Sequence, residues 1–166
     1  MKEHTSPQTE LGVKEIQFAN AEFLPEIVRF LEEGHTVTLR LRGFSMRPFL
    51  EDNRDKALIT KAQDIHIGDA VLAEIAPKHF VLHRIIAFDG DNIVLRGDGN
   101  LSEEYCKRVD VKGSVVGFYR KGRIRLDRTD GRKWKLYSVI WMRLYPIRRY
   151  LLAAYRRIWL KLFKPI

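Results

Sequence analysis

The sequence has one cysteine, no long apolar run and no metal-binding histidine pattern, and each absence excludes a class of protein. The single Cys106 excludes an intramolecular disulfide and is typical of a reducing compartment. No segment reaches the roughly 20 apolar residues that cross a bilayer, and residues 1–10 lack the pattern of a secretory signal. Four histidines, His4, His35, His66 and His79, lack the spacing of metal ligands. We therefore expect neither a metal nor another cofactor.

Acidic residues are scarce in the last part of the chain. Residues 120–166 hold 15 of the 30 Lys and Arg but only 2 of the 21 Asp and Glu. Residues 1–119 therefore keep 15 basic and 19 acidic residues, and the net charge of +9 belongs to the C-terminal segment. This asymmetry favours an attached basic module with a partner of its own.

The apolar pattern divides the 166 residues into three parts. Residues 16–33 carry apolar side chains at helical spacing, which predicts an amphipathic helix that Gly34 ends, with a break near Pro25 as one alternative. After Gly131 the helical period returns as one or two basic amphipathic helices, bent at Pro146. We expect an N-terminal tail and helix over 1–35, a β core over 36–128 and a helical extension over 129–166.

Short apolar runs cut by Gly, Asp and Asn fill the middle of the chain and indicate β-strands joined by turns. Such a series of short strands predicts a mainly β fold with a coiled or barrel-like sheet. The predicted strands are 36–42, 56–61, 69–76, 80–88, 92–96, 113–119 and 122–127.

A serine lies in the turn that follows the first predicted strand. Gly43 accepts backbone angles closed to other residues and Pro48 fixes φ, so Ser45 is expected in a turn outside the β ladder. A nucleophile needs such a place, because a rigid strand supports it and free amide groups lie beside it. A turn serine that caps its own backbone is the alternative.

Four short segments follow one another along the β region, and together they resemble a peptidase superfamily. They are Gly43-Phe44-Ser45-Met46-Arg47-Pro48, Gly68-Asp69-Ala70-Val71, His83-Arg84-Ile85 and Gly97-Asp98-Gly99-Asn100. In this order they resemble the boxes of type I signal peptidases and SOS-repressor peptidases. The pair His83-Arg84 is similar to the endoplasmic-reticulum-type branch, in which histidine replaces the lysine base. The resemblance covers residues 36–118 and implies coiled β sheets of the signal-peptidase type.

The resemblance implies a role for each matched residue. Ser45 is the expected nucleophile, His83 the general base and Asp98 the carboxylate that orients or stabilises the imidazolium. The backbone amides of Ser45 and Met46 are the expected oxyanion hole. The chemistry agrees, because a serine hydroxyl needs a neighbouring base and histidine titrates in the right range. A structural histidine and a turn-forming aspartate are the alternatives for His83 and Asp98.

We therefore predict a serine endopeptidase that cleaves a peptide or small protein precursor in trans through an acyl-enzyme. Self-cleavage is disfavoured because the chain lacks the Ala-Gly or Cys-Gly bond of the repressors. A catalytically inactive peptidase-like scaffold, or binding module, is the alternative.

The basic extension over 132–166 has four possible roles. It can lie on an anionic membrane surface, dock on a protein partner or second copy, bind nucleic acid, or pack on its own β core. Its aromatic and aliphatic stripe disfavours nucleic acid, which needs only an electrostatic contact. We expect a cytoplasmic protein, peripheral at the inner face of the membrane.

Overall fold

The computed structural model describes residues 23–166, and its main element is an antiparallel sheet of eight strands. The strands are β1 (Val37–Arg40), β2 (Lys56–Lys61), β3 (Ala70–Ala76), β4 (His79–Asp89), β5 (Asn92–Arg96), β6 (Glu104–Lys107), β7 (Val111–Tyr119) and β8 (Leu126–Arg128). Their order is β1-β2-β7-β3-β4-β5-β6, and β8 pairs with β7. The predicted mainly β fold is confirmed, but the sheet is open, with β1 and β6 at its two ends, and does not form a closed barrel.

Two strand predictions differ from the structure. The sequence pattern missed β6, which pairs with β5 through Ile93 and Cys106 and buries only Cys106. A four-residue strand with one buried residue carries too short an alternation to stand out. The last predicted strand, 122–127, begins only at Leu126, because Lys121 and Gly122 take positive φ values of 57° and 68° in a turn.

The first helix, α1 (Leu24–Glu32), covers one part of the sheet with its apolar face. Ile27 and Leu31 are fully buried, and Gly34 takes φ +87° directly after the helix, as predicted for its stop. Pro25 lies in the first helical turn, where a missing N–H costs nothing, so it does not interrupt α1. The part of the predicted helix before residue 23 lies outside the described residues.

The C-terminal extension forms a series of helices. They are α2 (Arg132–Arg143), a 3₁₀ turn (Tyr145–Ile147), α3 (Arg148–Ala154), a π-helical turn (Tyr155–Trp159) and α4 (Leu160–Leu162). The 3₁₀ turn contains Pro146, as the predicted bend requires. Trp134 is buried in the same apolar cluster as α1, β1 and β2, so α2 is part of the core. Between residues 23 and 166, no helix has the length and hydropathy needed to cross a membrane.

Candidate active site

The turn that carries Ser45 is fixed at both ends. Gly43 takes φ +86°, and its amide donates a hydrogen bond to Asp52 Oδ1 at 2.7 Å. Met46 and Leu50 are buried in the core, which anchors the turn from below. The peptide bond between Arg47 and Pro48 is cis. Ser45 itself is half-buried, so its hydroxyl is presented from a rigid turn, as the sequence predicted.

Two glycines let a second turn approach the Ser45 turn. The Gly99 amide donates to the Ser45 carbonyl oxygen at 2.7 Å. A Cβ at Gly97 would lie 2.4 Å from that oxygen, and a Cβ at Gly99 would lie 2.6 Å from the Phe44 carbonyl oxygen. Real Cβ atoms do not come so close, so both positions need glycine. The Gly97-Asp98-Gly99 segment is therefore required by backbone packing.

His83 meets the Ser45 turn across Gly97. The Cβ position of Gly97 that lies 2.4 Å from the Ser45 carbonyl oxygen also lies 3.0 Å from His83 Nε2. The distance from the Ser45 carbonyl oxygen to His83 Nε2 can therefore be no greater than these two distances added together. His83 is in β4 and is only 3% exposed. The structure therefore brings together two residues that are 38 positions apart in the sequence.

The partner of His83 is a carboxylate that the sequence analysis did not select. His83 Nδ1 makes a hydrogen bond to Glu104 Oε2. A carboxylate accepts, so Nδ1 carries the proton and Nε2, on the side of Ser45, keeps its lone pair. This is the tautomer that a general base needs.

Strand register explains how Glu104 reaches the imidazole. Arg84 pairs with Arg96 in the β4–β5 ladder, and one further step in the same register sets His83 opposite Gly97. Glu104 pairs with Leu95 on the other side of β5. Side chains alternate between the faces of a sheet, so these residues share one face. Gly97 has no side chain, which leaves room for the imidazole beside the Ser45 turn.

Asp98 makes no hydrogen bond or ion pair with His83, so it does not orient the imidazole, which was one of the two roles expected of it. Its two carboxylate oxygens accept from Arg84 Nε at 2.9 Å and Nη2 at 2.7 Å, and the Tyr137 hydroxyl donates to Oδ2 at 3.0 Å. The Arg84 and Asp98 side chains are each 1% exposed. Arg84 follows His83 in β4 and so points to the other face of the sheet, where Asp98 also points. Asp98 acts on the imidazole only through its electric field.

Helix α2 closes over this buried ion pair. Trp141 Nε1 donates to the Asp98 carbonyl oxygen at 3.0 Å, and Arg84 donates to the Ser138 hydroxyl. The Arg84 guanidinium lies 4.8 Å from the centre of the Trp134 ring. The helical extension therefore holds the loop that contacts the Ser45 turn.

Burial lowers the pKa of the His83 imidazole below its ordinary value of 6.5, and the Glu104 carboxylate offsets part of that effect. The neutral form is therefore the dominant form at pH 7. An imidazole that is neutral and holds its Nε2 lone pair towards a serine is ready to accept a proton.

The Ser45 hydroxyl and its neighbouring amides are unengaged. Within residues 23–166, the hydroxyl makes no hydrogen bond, and neither the Ser45 amide nor the Met46 amide donates one. The Ser45 hydroxyl therefore makes no direct hydrogen bond to His83, although the backbone of its turn lies beside the imidazole. Catalytic hydrogen bonds are often long in an enzyme without substrate and shorten when the substrate binds.

An apolar groove of about 210 Å³ runs up to Ser45. Its walls come from α1, from β1 and the segment that follows it, and from β3 and β4. The apolar side chains around it include Leu39, Leu41, Met46, Leu72, Phe80 and Leu82. A groove of this size accepts one or two aliphatic side chains of an extended peptide.

No protein-family model matches the chain, and a search of curated proteins finds no match. The functional argument therefore depends on the residues and geometry described above.

Two other chemistries receive no support from the geometry. Cys106 is buried, and burial raises the pKa of its thiol to about 11, so at neutral pH it holds almost no reactive thiolate. In the part of the chain that the structure describes, no group of three His, Cys, Asp or Glu side chains is arranged to hold a metal ion.

Proposed function

We propose that this chain is a serine endopeptidase with Ser45 as nucleophile, His83 as general base and Glu104 as the carboxylate that orients the base. The observation that carries the proposal is the convergence of the Ser45 turn and the His83 ring across Gly97, with Glu104 on the far nitrogen. The four-segment resemblance to the signal peptidase and SOS-repressor superfamily gives independent support, and so does the predominantly β core that carries these segments.

The reaction follows from the positions of the three groups. His83 Nε2 removes the proton of the Ser45 hydroxyl, and the oxygen attacks the carbonyl carbon of the substrate peptide bond. The unengaged Ser45 and Met46 amides donate to the oxyanion of the tetrahedral intermediate. The protonated imidazole then gives its proton to the leaving amine. The carbon–nitrogen bond breaks, the amine departs, and the acyl group stays bonded to Ser45. Water activated by His83 releases the acyl group and restores the enzyme.

The groove favours a peptide substrate held in an extended conformation. Among residues 23–166, one side of β1 has no strand partner, and β1 and the segment from Leu41 to Gly43 lead directly to the Ser45 turn. An extended peptide can add to such an edge through main-chain hydrogen bonds and place an apolar side chain in the groove. The substrate is therefore a peptide or protein precursor with small or medium apolar side chains close to the cleaved bond.

A labelling experiment tests the nucleophile. A fluorophosphonate probe should attach to the wild-type protein at Ser45, located by mass spectrometry of the digested protein. Labelling should disappear in Ser45→Ala and His83→Ala, because the first lacks the nucleophile and the second lacks the base. Ser102→Ala is the matched control, since Ser102 is exposed and is not the proposed nucleophile, and it should label normally.

The rival function is a catalytically inactive scaffold. One observation favours it: within the described residues, Ser45 and His83 make no direct hydrogen bond. Under that hypothesis, wild type and both active-site variants are equally unlabelled. Equal labelling of all three at another residue would also contradict the proposed nucleophile.

The pH dependence gives a second prediction. Because burial lowers the pKa of His83 below 6.5, the base is deprotonated and active through neutral pH. The second-order rate constant for labelling of Ser45 should therefore rise with pH on an acid limb whose midpoint lies below 6.5, and then stay level through neutral pH. Stopped-flow labelling rates between pH 4 and 9 measure it. Activity that begins only in strongly alkaline solution would contradict a histidine base.

A further inference from the structure

The outer surface of the C-terminal helices exposes many large apolar side chains. Of the eighteen large hydrophobic residues that are exposed between residues 23 and 166, eleven lie after residue 135. They are Leu136, Val139, Ile140, Tyr145, Ile147, Tyr150, Ile158, Trp159, Leu162, Phe163 and Ile166. Such a concentration in one segment marks an interaction surface, whereas single exposed apolar residues elsewhere need no explanation.

These apolar side chains are exposed although the C-terminal helices pack against the rest of the protein. Arg148, Leu152 and Tyr155 are buried against the rest of the protein, which uses one face of the segment from α3 to α4. On the outer face, Tyr150, Ala154, Ile158 and Leu162 recur at a spacing of four residues and form an apolar row. The next row, at positions 149, 153, 157 and 161, carries the exposed Arg149, Arg157 and Lys161, with Ala153 between the two arginines. We call residues 149–163 the basic row segment.

The charge of this surface identifies its partner. Residues 132–166 hold ten Lys and Arg and no Asp or Glu. A second copy would bring two such positive surfaces together, and like charges facing each other are costly. Nucleic acid would neutralise the charge but leave the apolar row in water. An anionic lipid bilayer can bind both the basic and the apolar row. Its headgroups pair with the cations, and the apolar side chains insert at the boundary between headgroups and acyl chains.

We propose that the basic row segment is a docking surface for anionic membranes. Trp159 is 40% exposed at the centre of the segment, and an indole is favoured at the level of the headgroups. Arg156 Nη2 donates to the Gly99 carbonyl oxygen at 3.1 Å, so the segment lies beside the loop that contacts the Ser45 turn. If the proposed peptidase function holds, the docked protein keeps its candidate active site close to the bilayer surface.

Vesicle sedimentation with the full chain tests the proposal. Vesicles of phosphatidylcholine with 30% phosphatidylglycerol should bind the wild-type protein, binding should weaken as salt is raised, and pure phosphatidylcholine vesicles should bind it poorly. Replacing Arg149, Arg157 and Lys161 with glutamine should weaken binding to the anionic vesicles roughly 100-fold, at about fivefold for each charge. A truncation is unsuitable, because Trp134 and Leu152 are part of the folded structure.

Two further variants separate the alternatives. Lys61, Lys78 and Arg108 are exposed on the β domain, and their replacement with glutamine removes the same charge and should leave binding unchanged within a few-fold. Ile158→Ser with Leu162→Ser keeps the charge and should also weaken vesicle binding, because insertion of apolar surface contributes to it.

Several outcomes overturn the proposal. They are wild-type protein that stays in the supernatant with anionic vesicles, equal binding by the basic-row and control variants, and dimerisation through Ile158 and Leu162 detected by analytical ultracentrifugation. The proposal is also overturned if the protein binds a DNA duplex more tightly than the anionic vesicles and the two serine substitutions do not change its binding to DNA. None of these results affects labelling at Ser45, so a failure here is distinguishable from a failure of the proposed peptidase function.

Discussion

Glu104→Gln is expected to lower the second-order rate constant for labelling of Ser45 by about 10²–10⁴-fold while leaving the fold intact, since under the proposed function it removes the carboxylate of a catalytic triad. The Glu104 carboxylate accepts a hydrogen bond from His83 Nδ1 and fixes the proton on that nitrogen. An amide can instead donate to Nδ1, which moves the proton to Nε2 and removes the lone pair that takes the Ser45 proton. Rates of labelling by the fluorophosphonate probe measure the effect.

The neighbouring Glu103 provides a matched control for this substitution. Its carboxylate binds Arg96 and accepts from the Tyr105 hydroxyl at 3.0 Å, and it makes no contact with His83. Glu103→Gln should therefore change the labelling rate by less than a few-fold, although it removes the same charge one residue away. Equal effects of the two substitutions would show that overall charge, and not the contact with His83, controls the rate.

The pH profile separates a positioning role for Glu104 from a purely structural role. The carboxylate raises the pKa of His83 against the lowering effect of burial. When it becomes an amide, that contribution is lost, so the acid limb of the residual activity should move to lower pH. A variant that is merely less well folded would lose amplitude with no shift of the limb. An unchanged limb would therefore contradict the assigned contact.

Asp98→Ala should destabilise the folded protein by about 3–5 kcal/mol, because removing one partner of a buried ion pair leaves the other charge buried and unpaired. Arg84 would keep its hydrogen bonds to the Gly68 carbonyl oxygen and the Ser138 hydroxyl but lose both bonds to the carboxylate. The Tyr137 hydroxyl would lose its acceptor as well. Urea unfolding followed by tryptophan fluorescence measures the free energy of unfolding.

Two controls show whether burial of the pair is the cause. Asp130→Ala removes an exposed ion pair with Arg128 and should produce no measurable loss of stability. The double substitution Arg84→Met with Asp98→Leu should cost less than Asp98→Ala alone, because it removes both buried charges together. If Asp98→Ala instead abolished labelling at unchanged stability, the catalytic role predicted from the sequence would return in place of the structural one.

Much of the fold could be predicted from local patterns. The short apolar runs between turns predicted a mainly β core, and six of the seven predicted strands overlap β1–β5 and β7 closely. The seventh prediction overlaps β8 only in its last residues, and β6 was missed because one buried Cys106 in four residues gives too little alternation. The predicted bend at Pro146 is confirmed, because proline acts on the backbone next to it and needs no distant partner.

The candidate site could be predicted in part. Ser45 and His83 could be selected from the turn and the strand that carry them, and the structure places the backbone of the Ser45 turn beside the His83 ring across Gly97. The resemblance of the Gly97–Asn100 segment to a known box predicts Asp98 as the carboxylate, whereas its two flanking glycines favour the alternative of a turn-forming aspartate. No local pattern distinguished it from Glu104, which sits in a short strand beside a second glutamate.

By itself, the sequence determined where the strands and turns fall, which hydroxyl is held outside the ladder, and which third of the chain carries the positive charge. These properties follow from near neighbours: period-two alternation, the backbone limits of Gly43 and Pro48, and simple composition. Only the tertiary structure decided which carboxylate serves His83. The side chains of adjacent residues point to opposite faces of a sheet, so the register of β4, β5 and β6 sends Asp98 to Arg84 and Glu104 to the imidazole.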